Sequence, residues 1–190
     1  MNVWSQFNQN TMNNDPRDLY LESVELLKVS NPIALDIAAG ALNETKDMIK
    51  RSFEVTAIDY NPGIVELAKE IGSTKLKAIN STMEDFAYGV NKYDYIIAMF
   101  ALPFISPNKF DEVFAKITKS LKPDGVFALH LFGNKDEWAG NPKMSIFDVE
   151  GARNLIKDLS ILKFKEIEKP TRIANGQMKR GHIFQIIVQK

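Results

Sequence analysis

The 190-residue chain contains no cysteine, carries no net charge and has no long apolar run. The first absence excludes disulfides, Cys-ligated zinc, iron–sulfur clusters and thiol nucleophiles, and it gives no support to secretion, so a reducing cytoplasm is the expected setting. The second, 24 basic against 24 acidic side chains, argues against a general nucleic-acid binder, because neutralising phosphates requires a basic surface. The third argues against a membrane span. The longest apolar stretch, Tyr95–Ile105, is broken by Pro103 and falls well short of the ~20 residues needed to cross a bilayer. Met1–Asn14 is rich in Asn and Gln, without the basic start and apolar segment of a signal peptide. With only two histidines and no carboxylates at ligand spacing, no metal site is predicted, and no Gly-x-Ser-x-Gly nucleophile motif is present.

What is present fits one compact α/β domain over 15–190, preceded by a mobile arm over 1–14. Charge is distributed unevenly: the last 40 residues hold nine basic and three acidic side chains. That excess is read first as a solvated basic edge, and more sharply as a means of attracting an anionic substrate. Short β-rich runs alternate with helical patterns, which predicts a parallel sheet. Asp15-Pro16 and Asn61-Pro62 each offer a cap followed by a first-turn proline. Strands are expected at Ile33–Ala38, Phe53–Ile58, Lys75–Ile79, Tyr93–Phe100 and Val126–Phe132, with helices between them and another from about Asp148 to Leu159. Lys122-Pro123-Asp124-Gly125 reads as a turn. Two further strands, Leu162–Glu168 and His182–Gln189, flank Asn175-Gly176, a dipeptide suited to a hairpin turn. The expected fold is a three-layer Rossmann-like sandwich with a mostly parallel seven-stranded sheet and a C-terminal antiparallel hairpin. Ligands of such sheets bind at the carboxyl ends of the strands.

Ala34-Leu35-Asp36-Ile37-Ala38-Ala39-Gly40 runs off the first strand, and Asp59 ends the second, 19 residues after Gly40. Each carboxylate alone also suits a capping role. Together, at this spacing, they match a nucleotide site, in which a tight turn brings backbone N–H groups to the ligand and a carboxylate accepts from ribose hydroxyls.

From these residues onward the chain resembles the class I S-adenosylmethionine-dependent methyltransferases, over roughly Pro32 to Lys190. Asp36–Gly40 matches the family's first motif, Asp59 its acidic ribose residue, and Met83-Glu84-Asp85-Phe86 the segment that covers adenine. Tyr93-Asp94-Tyr95-Ile96-Ile97 resembles the usual aromatic-Asp start of the fourth strand, and Leu121-Lys122-Pro123-Asp124-Gly125 the turn before the fifth. Ala101-Leu102-Pro103-Phe104 and the last strand are similar to a small bacterial subgroup that includes tellurite-resistance-like methyltransferases. The resemblance implies S-adenosylmethionine as cofactor, held by Asp36, Ala38, Gly40, Asp59, Tyr60, Thr82, Met83, Glu84, Met99 and Phe100. It also implies a small-molecule substrate, met by Trp4, Phe7, Arg17, Leu102, Phe104, Phe132 and Trp138. His130, at the end of the fifth strand, is the candidate general base, set against the plainer reading of a hydrogen-bonded histidine at a strand terminus, and His182 is read as structural.

Departures from the family pattern are equally specific. Glycine is expected where this chain has Ala38 and Leu42, and an acid where it has Thr82. Because a left-handed leucine costs about 1–2 kcal/mol, the loop after Gly40 is expected to take a right-handed path, with Leu42 crowding the methionine part of the cofactor. These departures motivate an alternative, a cofactor-binding or interaction protein without catalysis. A nicotinamide oxidoreductase is a third reading, disfavoured because its fingerprint needs all three glycines.

Overall fold

The computed structural model describes residues 11–173 and 176–190. Trp4 and Phe7, most of the expected arm, and Asn175 of the expected hairpin turn lie outside the described residues. Among the described residues the elements in chain order are α1 (Asp18–Val24), β1 (Ile33–Ile37), α2 (Asn43–Lys50), β2 (Glu54–Asp59), α3 (Gly63–Ile71), β3 (Leu76–Asn80), β4 (Tyr93–Ala98), α4 (Pro107–Ser120), β5 (Leu121–Gly133), β6 (Ile146–Phe147), α5 (Val149–Leu155), β7 (Ser160–Arg172) and β8 (Met178–Gln189). Short 3-10 turns occupy Leu102–Phe104 and Glu137–Gly140.

The strands lie in the order β3-β2-β1-β4-β5-β8-β7, and the two-residue β6 pairs with the end of β5 as an eighth strand. β1 to β5 run parallel, while β8 runs antiparallel to both β5 and β7. Alternation along the central strands separates two cores. Leu35, Ile37, Ile96, Phe127 and Leu129 face Phe110, Val113, Phe114 and Ile117 of α4, with Ala152 of α5. On the opposite face Ala34, Tyr95, Ile97, Val126 and Ala128 meet Leu19, Tyr20 and Val24 of α1 and Met48 of α2. This is the expected three-layer sandwich.

Asp94 closes the end of the sheet away from the ligand side. Its Oδ2 accepts from Ile33 N at 2.9 Å and from Lys122 Nζ at 2.8 Å, tying β1, β4 and the start of β5 together. The Lys122–Gly125 segment, expected as a turn, is an irregularity inside β5: Tyr93 pairs with Leu121, the next pair is Tyr95 with Val126, and Asp124 sits at φ 62°. α1 starts at Asp18, three residues past the expected cap, because Arg17 is held elsewhere: its backbone N–H donates to Glu44 Oε1 at 3.1 Å. Asn61 does cap α3, with its Oδ1 accepting from Gly63 N at 3.0 Å. The end of the expected mobile arm is tied down, since Asn43 Nδ2 donates to the Thr11 carbonyl at 2.7 Å and Lys46 Nζ to that of Met12 at 3.0 Å.

Candidate functional site

The turn between β1 and α2 carries three left-handed residues at alternate positions: Ala38 at φ 55°, Gly40 at φ 53° and Leu42 at φ 61°. The expected right-handed path is therefore overturned. Leu42 is fully buried against Ala39, Ala57 and Ile64, and burying a leucine is worth about 1.5–3 kcal/mol, enough to offset about 1–2 kcal/mol of left-handed strain. Its side chain is accordingly directed into the core under α3 and takes no part in the wall of the cavity beside the turn, so it does not crowd a ligand there.

Asp59 locks this turn. One carboxylate oxygen accepts from Gly40 N at 2.9 Å and the other from Asn61 N at 2.8 Å, so one side chain holds the turns after β1 and β2. Burial raises its pKa, opposed by those two N–H donors. Asp36 is also buried and accepts from Thr45 Oγ1 at 2.6 Å. Burial first, then the neighbouring Glu44 charge, pushes its carboxyl up to about 7. Glu44 is itself buried and holds the Arg17 guanidinium at 2.7 Å.

These groups line one end of a cavity of about 370 Å³ at the carboxyl ends of β1, β2, β4 and β5. Of the residues singled out for cofactor, the structure brings Asp36, Ala38, Gly40, Asp59, Tyr60, Met83, Met99 and Phe100 into its wall. Thr82 and Glu84 are not in that wall. The Thr82 hydroxyl closes its own turn, donating to Asp85 Oδ2 at 2.7 Å and accepting from Asp85 N at 3.1 Å. Of the substrate candidates, Arg17, Phe104, Phe132 and Trp138 line the cavity. Leu102 is core instead, fully buried, because the 3-10 turn sends it inward and leaves Phe104 half exposed.

His130 is corrected as well. β5 continues to Gly133 and β8 covers its flank, so His130 pairs with Gln185 in the strand interior rather than ending a strand. The imidazole is buried, absent from the cavity wall, and stacked on Phe100 at 4.1 Å between centroids. Neither ring nitrogen has a hydrogen-bond partner among the described residues, and burial lowers its pKa to about 3, so the ring is neutral. Phe100 is itself left-handed, at φ 58°. His182 agrees with its structural reading: Nδ1 accepts from Lys135 N at 3.1 Å, which fixes Nε2 as the donor to Glu166 Oε1 at 2.8 Å. Glu166, Glu168 and His182 bring one potential ligand atom each within 4.8 Å of one another, but the Lys135 ammonium already sits on both carboxylates.

Sequence reasoning missed Glu44, Arg172 and Lys179, all in the cavity wall. Lys179 was legible in principle. Period-two alternation places it on the same face as Ile183, but only if the last strand starts at Met178 rather than His182.

The donor set suits a nucleoside carrying an amino acid. Each Asp59 oxygen has one N–H partner and can accept more, Asp36 is a buried carboxyl that an ammonium would ionise, and Met83 offers an apolar cover. Residues 34–125 match the family described as a methyltransferase domain. An uncharacterised methyltransferase of Synechocystis is 25% identical over 113 residues, 60% of this chain and 53% of that protein, so the chain spans about half the length of that relative. Among solved structures, TehB from Haemophilus influenzae aligns with a TM-score of 0.79 at 12% identity, over 97% of this chain and 65% of that one. The 1,6-didemethyltoxoflavin N1-methyltransferase of Burkholderia thailandensis, solved with 1,6-didemethyltoxoflavin and S-adenosylhomocysteine, aligns at 0.67 and 17% identity over 91% of this chain and 78% of that one. At these identities the structural likenesses establish the fold.

Proposed function

We propose that this chain, which carries a methyltransferase domain of the class I S-adenosylmethionine-dependent family, binds S-adenosylmethionine at the acidic end of its cavity and methylates a small molecule held at the other end. The observation that carries the reading is Asp59, a buried carboxylate pinned by Gly40 N and Asn61 N with lone pairs left for a pair of ribose hydroxyls. When bound, the cofactor supplies an already activated methyl group on a sulfonium. What the protein adds is mainly position and exclusion of water.

Asp36 and Glu44 give that end its negative charge, suited to the cofactor's ammonium. Arg17 keeps Glu44 paired when no cation is present. Phe100 and Ala101, at the end of β4, shield the centre of the cavity. His130 is sealed beneath Phe100, and no imidazole lines the wall among the described residues. The inactive alternative is not favoured over this reading: Leu42 lies outside the cavity wall, and the turn keeps its left-handed backbone with Gly40 and without the other two glycines.

Isothermal titration with S-adenosylmethionine, S-adenosylhomocysteine and NAD tests the reading. Heat with the two sulfur ligands and none with NAD is expected, and no heat with either sulfur ligand would overturn it.

A further inference from the structure

The far end of the cavity is walled by aromatic rings and basic side chains. Phe104, Phe132 and Trp138 form a triangle, with centroids 6.1, 6.2 and 5.9 Å apart and every pair tilted or edge-on. Lys179 enters this triangle from β8. Its ammonium lies 4.6 Å from the Trp138 centroid and 5.0 Å from that of Phe132, and it is held by both carboxylate oxygens of Asp136. Asp136 is also buried, and its oxygens accept from Trp138 N and His182 N at 3.0 Å each. The cation is thus fixed in place, its charge matched by the Asp136 carboxylate.

An aromatic box of this kind is what selects ligand ammonium groups. Here the protein's own ammonium occupies it, so the Phe132 and Trp138 faces that it covers are closed to a cationic acceptor. Arg172, at the end of β7, also lines the cavity; it is exposed and in no ion pair among the described residues. The acidic side chains of the wall, Asp36, Glu44 and Asp59, all belong to the opposite end. Of the nine basic residues among the last 40, Arg172 and Lys179 lie at the cavity.

We infer that the methyl acceptor is a small aromatic acid, its ring packed at the open edge of the Phe104, Phe132 and Trp138 triangle and its carboxylate at Arg172. This rests on the reading that the acidic end takes the cofactor. In the transfer, the methyl carbon–sulfur bond breaks with its electron pair going to sulfur, while a lone pair of the acceptor forms the new bond. The sulfonium charge is discharged, and no proton passes to the protein in that step.

The probes are 2-naphthoate, 2-naphthamide and 2-naphthylmethylammonium, titrated at low ionic strength into the full chain saturated with S-adenosylhomocysteine. Naphthoate is expected to bind about tenfold tighter than either analogue, the size of one charge-assisted hydrogen bond. Arg172→Gln, an exposed change that leaves the fold alone, is expected to remove about that factor for naphthoate and nothing for the amide. Equal or tighter binding of the ammonium, or a naphthoate affinity unmoved by Arg172→Gln, overturns the inference. The heat of S-adenosylhomocysteine, measured first on the same sample, separates the two failures. Heat there without naphthoate binding sinks the acceptor class alone. No heat there sinks the methyltransferase reading, and with it the acceptor class that rests on it.

Discussion

At the acidic end of the cavity the side chain that locks the turn, Asp59, is held by backbone. Asp59 rests on two N–H groups, and the turn it locks is built from residues close in sequence to β1 and β2. At the basic end Lys179 is held by another side chain: it sits on Asp136 and under two rings, and its neighbours come from segments near 104, 132, 138 and 172. The first end is specified by local sequence and is tolerant of change, because backbone donors persist when one side chain is replaced. The second rests on a buried ion pair, in which removing Lys179 or Asp136 strands the partner.

The largest expected effect follows directly. Lys179→Met leaves the Asp136 carboxylate buried without its cation and should cost about 3–5 kcal/mol of folding stability, read by denaturant unfolding, with Asp136→Asn in the same chain recovering most of it. A loss below about 1 kcal/mol, the range of an ordinary surface pair, would dissolve the contrast between the two ends. Asp59→Ala should weaken S-adenosylhomocysteine binding by about 1–3 kcal/mol, measured by calorimetry. Unchanged affinity with an intact fold would remove Asp59 from the ribose role.

Next comes pH. Asp36 has a folded-state pKa near 7 against an ordinary 3.8, so between those values the folded chain holds a proton that the unfolded chain has lost. Its contribution to stability is complete at low pH and disappears as pH rises through about 7. A cationic ligand favours the ionised carboxylate, so cofactor affinity should climb about tenfold between roughly pH 6 and 8. Asp36→Asn should flatten both profiles, and a slope that survives the substitution would place the titrating group elsewhere. The smallest effect belongs to Ala38→Gly. Relieving one left-handed alanine should stabilise the chain by about 1 kcal/mol, seen as a raised Tm, whereas a loss would show that the methyl group is packed rather than strained.

The same contrast explains what the sequence made legible. β1, the Asp36–Gly40 turn, Asp59 and the Asn61 cap are local patterns, and each lies where its residue types require. Leu42 was misjudged because strain is a property of one residue, whereas the burial that offsets it comes from Ala57 and Ile64 on other elements. His130 was misplaced because β5 runs on to Gly133 and β8 covers its side, a pairing between residues more than 50 apart in the chain. Arg172 and Lys179 escaped notice for a related reason: the hairpin strands reach further toward the cavity than their apolar alternation alone suggests.

β8 lies between β5 and β7 although it comes last in the sequence. During synthesis, therefore, strands β1 to β5 emerge while the flank of Val126–Phe132 still lacks the neighbour it pairs with in the folded chain. An apolar strand with an open edge recruits other strands, including those of a second copy. The acidic end can take shape early, but the chain stays vulnerable to aggregation until the hairpin returns and Lys190 closes it, its carbonyl accepting from Asp124 N at 2.9 Å and its N–H donating to the Gly125 carbonyl at 3.1 Å.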